Sequence, residues 1–172
     1  SVEDTIRELE KRIRDLNREM ERLNRESVEK IKRLNEKVRR EIEDILREIK
    51  RLAENLKDVD ERDLERLLKE LRDELERLSR DSERELKRLE EEHRRARKKS
   101  EEDLRRLDKE VKDKPIDESL RRKLKKLADE HRETVDRMHE KNRKLADDHR
   151  DSVRKLEERI KRLTDRLREE RK

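Results

Sequence analysis

Residues 2–23 read VEDTIRELEKRIRDLNREMERL, and their apolar side chains fall at Val2, Ile6, Leu9, Ile13, Leu16, Met20 and Leu23, in alternating steps of four and three. At 3.6 residues per turn, that alternation puts every apolar side chain on one narrow stripe, the seam of a helix packed against other helices. The seam continues through Ser27, Ile31, Leu34, Val38, Ile42, Ile45, Ile49, Leu52 and Leu56. From Leu23 to Ile45 it runs as two 11-residue repeats, which relax a left-handed supercoil toward straight helices. The register also settles what composition leaves open. With 62% of residues charged and 26% hydrophobic, the chain matches either disorder or long helices, and disorder keeps no such register.

The pattern breaks at Lys57-Asp58-Val59-Asp60, where Asp60 is placed to cap a new helix with Asp63 at its third position, and Val59 to staple onto Leu64. A second seam follows through Leu64, Leu68, Leu71, Leu75, Leu78, Ser82, Leu86, Leu89, His93, Ala96, Ser100, Leu104, Leu107 and Val111. It stops at Lys112-Asp113-Lys114-Pro115, because the only proline forces its predecessor out of the helical region. Asp117 then caps a third helix, whose seam is Ile116, Leu120, Leu124, Leu127, His131, Val135, Met138, Asn142, Leu145, His149, Val153, Leu156, Ile160, Leu163 and Leu167.

The fold class is therefore all-α: a single-chain antiparallel, up-down-up three-helix bundle, with helices of about 52 to 56 residues joined by short turns. The expected helices span about 2–57, 61–112 and 117–171, and the whole of 1–172 is read as one domain. Each stripe is too narrow to leave a second apolar face, so a monomer is expected, with no partner required. A single long coiled coil that dimerises would have to ignore both turns.

Composition closes off most enzyme classes. Glycine is absent, which removes Gly-rich phosphate loops and hairpin turns, and without cysteine there is no disulfide, thiolate nucleophile or Cys-based metal site. No apolar run approaches a membrane span, and Ser1-Val2-Glu3-Asp4 does not resemble a signal peptide; a soluble chain is expected, its localisation otherwise unknown. The basic runs at 94–99 and 121–126 are interleaved elsewhere with acids, net charge is only +5, and no aromatic is present to stack on a base, so no specific nucleic acid is expected.

The near-equal helices, the loops Asp58-Val59-Asp60-Glu61 and Asp113-Lys114-Pro115-Ile116-Asp117, the surface saturated with Glu, Lys and Arg, and the polar groups set into a Leu/Ile seam together resemble de novo designed helical bundles with buried hydrogen-bond networks that include histidine. The resemblance spans the chain. It is one of style and carries over no catalytic residue. It implies an engineered structural scaffold without natural activity.

The seam polar groups are the candidate sites. Folding at the turns pairs α-helix one with two where residue numbers sum to about 119, and two with three at about 228. Asn24 and Ser27 then come level with His93 and with Thr134 or Val135; Asn17 with Ser100, within two turns of His131; Asn35 with Ser82 and Asn142; and His149 and Ser152 beside Ser79. His139 lies one position off the seam. Between Leu89 and Leu104 the inward residues are only His93, Ala96 and Ser100, about 22 Å of helix without a large apolar side chain. Groups buried there must bond to each other or to water.

Glu90 with His93, and Asp136 with His139, have the i, i+3 spacing of metal-binding helices, but the seam carries no carboxylate to complete a site, so no metal or cofactor is expected. No catalytic residue is expected either, since no buried carboxylate orients an imidazole and the helix backbone offers no free oxyanion donors. Three functional readings follow: a scaffold whose polar layers set packing specificity, a pH-responsive bundle destabilised by histidine protonation, and a helix-binding or heteromer-forming module.

Overall fold

The computed structural model describes all residues 1–172 as a three-helix bundle: α1 (Val2–Glu54), a single 3-10 turn (Leu56–Asp58), α2 (Glu61–Asp113) and α3 (Glu118–Arg171), with no strand. The helices contain 53, 53 and 54 residues. Arg12 meets Glu110 at 2.9 Å and Lys123 meets Glu10 at 3.4 Å, so α2 runs antiparallel to α1, and α3 parallel to it.

Neither connection uses a left-handed residue; no backbone φ is positive, consistent with a chain lacking glycine. α1 stops at Glu54, three residues before its expected end, because Asn55 leaves the helical region and its Nδ2 caps the carbonyl of Arg51 at 3.1 Å. Val59 is extended and packs into the same core as Leu64. The carbonyl of Asp60 accepts the N–H of Leu64 at 2.9 Å, and Arg171 Nε donates to the carbonyl of Val59 at 3.1 Å. At the second connection Asp117 Oδ1 accepts the N–H of Ser119, and Arg121 Nη2 donates to the carbonyl of Lys114 at 2.8 Å. Arginine side chains thus satisfy loop carbonyls that a glycine turn would satisfy through backbone.

The chain divides into two compact units, and all three helices contribute to each. The first comprises Ser1–Glu29 and Arg88–Lys144, with a core of Leu9, Ile13, Leu104, Leu107, Leu124 and Ala128. The second comprises Lys30–Lys87 and Leu145–Lys172, with a larger core running from Val38 to Leu52 on α1, Leu64 to Leu78 on α2, and through Val153, Ile160 and Leu167 on α3. The α3 seam departs from expectation. Ala128, Ala146 and Thr164 are buried, whereas Leu127, Leu145 and Leu163 are only half-buried. The seam of α3 therefore faces inward one position later than expected at these three places.

Candidate functional site

Two polar networks, one in each unit, have the same construction. In the first, His131 on α3 reaches Asn17 Oδ1 on α1 through Nδ1 and lies 2.6 Å from Ser100 Oγ on α2 through Nε2. In the second, His149 on α3 reaches Asn35 Oδ1 on α1 through Nδ1 and lies 2.5 Å from Ser82 Oγ on α2 through Nε2. An amide oxygen only accepts, so each imidazole donates from Nδ1, and its Nε2 accepts the serine hydroxyl proton. One tautomer of a neutral imidazole satisfies both bonds. Ser82, Ser100, His131 and His149 are buried, Asn17 is half-buried, and Asn35 faces solvent.

Each histidine is followed by an arginine held in a double carboxylate clamp. Arg132 Nε meets Glu101 Oε2 at 3.2 Å and its Nη1 meets Asp129 at 3.1 Å; Arg150 Nε meets Glu83 Oε2 at 2.9 Å and its Nη1 meets Asp147 at 3.1 Å. Burial pushes the His131 and His149 pKa values below the ordinary imidazole value, and the neighbouring guanidinium of Arg132 or Arg150 pushes the same way, against a smaller opposing pull from Glu101 or Glu83. Grooves of about 570 Å³ beside Ser100 and His131, and about 670 Å³ beside Asn35 and His149, bring solvent to the edge of each network.

The remaining candidates divide sharply. Asn142 Nδ2 donates to Asn24 Oδ1 at 2.6 Å and to the carbonyl of Met138 at 2.9 Å, so Asn142 joins Asn24 and not Asn35 as the layer arithmetic had it. Ser27 and His93 are buried, and burial followed by the nearby His139 lowers the His93 pKa. His139 itself is half-buried. Thr134 does not enter the core: its hydroxyl turns back to the carbonyl of Glu130 at 2.9 Å, the usual escape of a helical threonine. Ser152 is exposed and Ser79 half-buried, and His149 bonds to Ser82 instead of either. The cause is register. The Ser–His partners have residue numbers adding to 231, three beyond the expected 228, which carries each imidazole most of a turn along α2.

The order serine, imidazole, amide is also that of a nucleophile, its base and an orienting group. Here it lacks the rest of an acyl-transfer site. The serine oxygens are buried in mid-helix, where backbone N–H groups are consumed by the helix, and the partner of each imidazole Nδ1 is an amide oxygen and not a carboxylate. No three His, Asp or Glu side chains converge as metal ligands, and no helix is long and apolar enough to cross a membrane.

A signal for these networks lies in the sequence at a spacing of 18 residues. KLADEHRETV at 126–135 returns as KLADDHRDSV at 144–153; Ser82-Glu83 returns as Ser100-Glu101, and Leu16-Asn17 as Leu34-Asn35. Eighteen residues are five whole turns of a straight helix, so each element presents the same face again. One further step reaches Ala53, Leu64 and Leu167, with Arg168 Nε against Glu65 Oε1 at 3.0 Å: the same clamp beside an apolar rank. The markers of this echo are Ala, Ser, Asn and His, which stand apart from the Leu/Ile alternation that defines the seams.

No protein-family model matches the chain, and no curated protein does. Among solved structures, it is similar to a computationally designed three helix bundle, at 20% identity over 98% of this chain and 87% of that one, with a TM-score of 0.33.

Proposed function

We propose that the chain is a designed, monomeric structural scaffold with no natural biochemical activity, folding as one domain, and that its Asn–His–Ser networks act to specify helix register and partner choice. The observation that carries this reading is the recurrence of one complete network at 18-residue spacing, each copy linking α1, α2 and α3. A leucine pair contacts any neighbouring leucine, whereas an imidazole bonded at both nitrogens loses its asparagine if α1 slips, its serine if α2 slips and both if α3 slips. The rank Ala53, Leu64 and Leu167 supplies the apolar solution to the same position. Copying it into both networks (Asn17→Ala, Ser100→Leu, His131→Leu, Asn35→Ala, Ser82→Leu, His149→Leu) is expected to raise the guanidinium midpoint while broadening the amide spectrum or adding an oligomer in light scattering. A variant that stays a single sharp monomer near 21.5 kDa would assign specificity to the loops and not to the networks.

A second reading, that the bundle responds to pH, is favoured by a separate observation. Both nitrogens of His131 and of His149 are engaged, with an amide oxygen and a serine hydroxyl as partners. Protonation converts Nε2 from acceptor to donor and introduces charge beside Arg132 or Arg150. It therefore reverses the serine-to-imidazole bond, Oγ now accepting from Nε2–H while the hydroxyl proton must find a new acceptor, and is opposed by the guanidinium, relieved in part by Glu101 or Glu83.

A further inference from the structure

In the unit formed by Ser1–Glu29 and Arg88–Lys144, three buried side-chain atoms have no hydrogen-bond partner: Ser27 Oγ on α1, His93 Nε2 on α2 and Asn142 Oδ1 on α3. Their residues are 2%, 5% and 7% exposed, so bulk solvent does not serve them. Register brings them within about one helical turn of one another. The bond from Asn142 Nδ2 to Asn24 Oδ1 seats Asn142 beside the turn of α1 that carries Ser27 three residues later. Across α2 and α3, the pairs Ser100–His131 and Arg97–Asp136 have residue numbers adding to 231 and 233, which sets His93 opposite residues 138–140, one turn before Asn142. Helical side chains lean toward their own N-terminus. Because α2 runs against α1 and α3, Ser27 and Asn142 lean toward the level of His93, and its imidazole leans toward theirs.

The bonding capacities of the three groups define what fits among them. Asn142 Oδ1 only accepts, Ser27 Oγ–H donates, and the Nε2 of a neutral imidazole accepts when the proton sits on Nδ1. Two acceptors and one donor are the complement of a single water, which donates twice and accepts once. A direct contact between His93 and Asn142 would serve two of the groups and leave the serine unpaired. A cation is disfavoured, since His93 and His139 lie close enough to oppose each other's charge, the pull of Glu92 on His93 is the smaller effect, and no carboxylate stands on the seam itself at this level.

We propose that Ser27, His93 and Asn142 form an internal hydration site holding one long-lived water molecule that bridges all three helices. Nuclear magnetic resonance on the intact, isotopically labelled chain at pH 7.5 tests this. The expected result is an unprotonated His93 Nε2 by its 15N shift, together with a cross-relaxation peak between water and the Ser27 β-protons whose sign is that of a molecule tumbling with the protein. That peak should be lost in His93→Leu, with the amide signals of the Leu9 and Leu107 core as the folding control. Asn142→Leu, which removes the other acceptor, should cause the same loss and serves if the first variant unfolds. A protonated Nε2 in the folded chain, no peak in the parent, or a peak that survives both substitutions would overturn the proposal.

Discussion

Ser82 and Ser100 each contribute one hydroxyl to an imidazole that has no alternative partner for that nitrogen. Ser82→Ala should therefore cost roughly 1 to 3 kcal/mol, more than a surface serine, because His149 Nε2 is left buried and unpaired. Removing both partners together, as Ser82→Leu with His149→Leu, should recover most of that loss, and a denaturant titration of the three variants reads the difference. If the single and double variants fall equally, the bond does not hold the imidazole in place. The two asparagines are not equivalent: Asn17 is half-buried and Asn35 faces solvent. Loss of the Asn35 amide should consequently be felt less, since water can replace its oxygen on His149 Nδ1.

At the scale of the element, α2 is uneven. Within the first unit, its inward residues between Leu89 and Leu104 are His93, Ala96 and Ser100, and a groove of about 190 Å³ opens beside Ala96 and Ser100. The Leu71, Leu75 and Leu78 stretch, in the core of the second unit, is closely packed leucine. Amides at 93–100 should exchange with deuterium faster than those at 71–78, because few apolar contacts oppose local opening. Uniform protection along the helix would mean that the networks hold as firmly as leucine. The 18-residue echo makes a stronger demand on α1, α2 and α3 together. Ala53→Asn, Leu64→Ser and Leu167→His should install a third network beside the existing Arg168–Glu65 pair, at a cost of about 2 to 5 kcal/mol for the buried leucine volume given up. The introduced imidazole should carry its proton on Nδ1; a tautomer mixture in the folded chain would show that the rank does not reproduce the network.

For the whole molecule, acid is the informative variable. His93, His131 and His149 all have folded pKa values lowered by burial, so the folded state holds their neutral forms while the unfolded chain titrates near 6.5. Stability is then complete above about pH 6.5, falls as pH drops through that value because the unfolded state takes up the protons, and levels off once pH lies below the folded values. The guanidinium midpoint of the parent should be lower at pH 5 than at pH 7.5, and the difference should shrink in a variant carrying Asn at all three histidines. Equal midpoints in the parent would retire the pH-responsive reading. The many surface ion pairs are mostly exposed i, i+3 and i, i+4 contacts worth about a few tenths of a kcal/mol each.

Much of the architecture was legible in the amino-acid order. The three-and-four alternation from Ile6 to Leu52 marks the buried face of α1, and the breaks at 57–60 and 112–115 announce themselves through Asp, Val and the single Pro, since these are local properties of one helix or one loop, although α1 ends three residues early. Ser27, Ser82, His93, Ser100, His131, Asn142 and His149, which the alternation places on the seams, are buried, whereas Thr134 and Ser152, off the seams, are not. The pairing of the seam groups was not legible. Which serine meets which histidine depends on the stagger between helices, and a shift of three residues replaces Ser79 by Ser82 as the partner of His149. Periodicity along one chain fixes the face a residue occupies, while its height against another helix is a tertiary quantity, decided by the packing of side chains from all three helices at once.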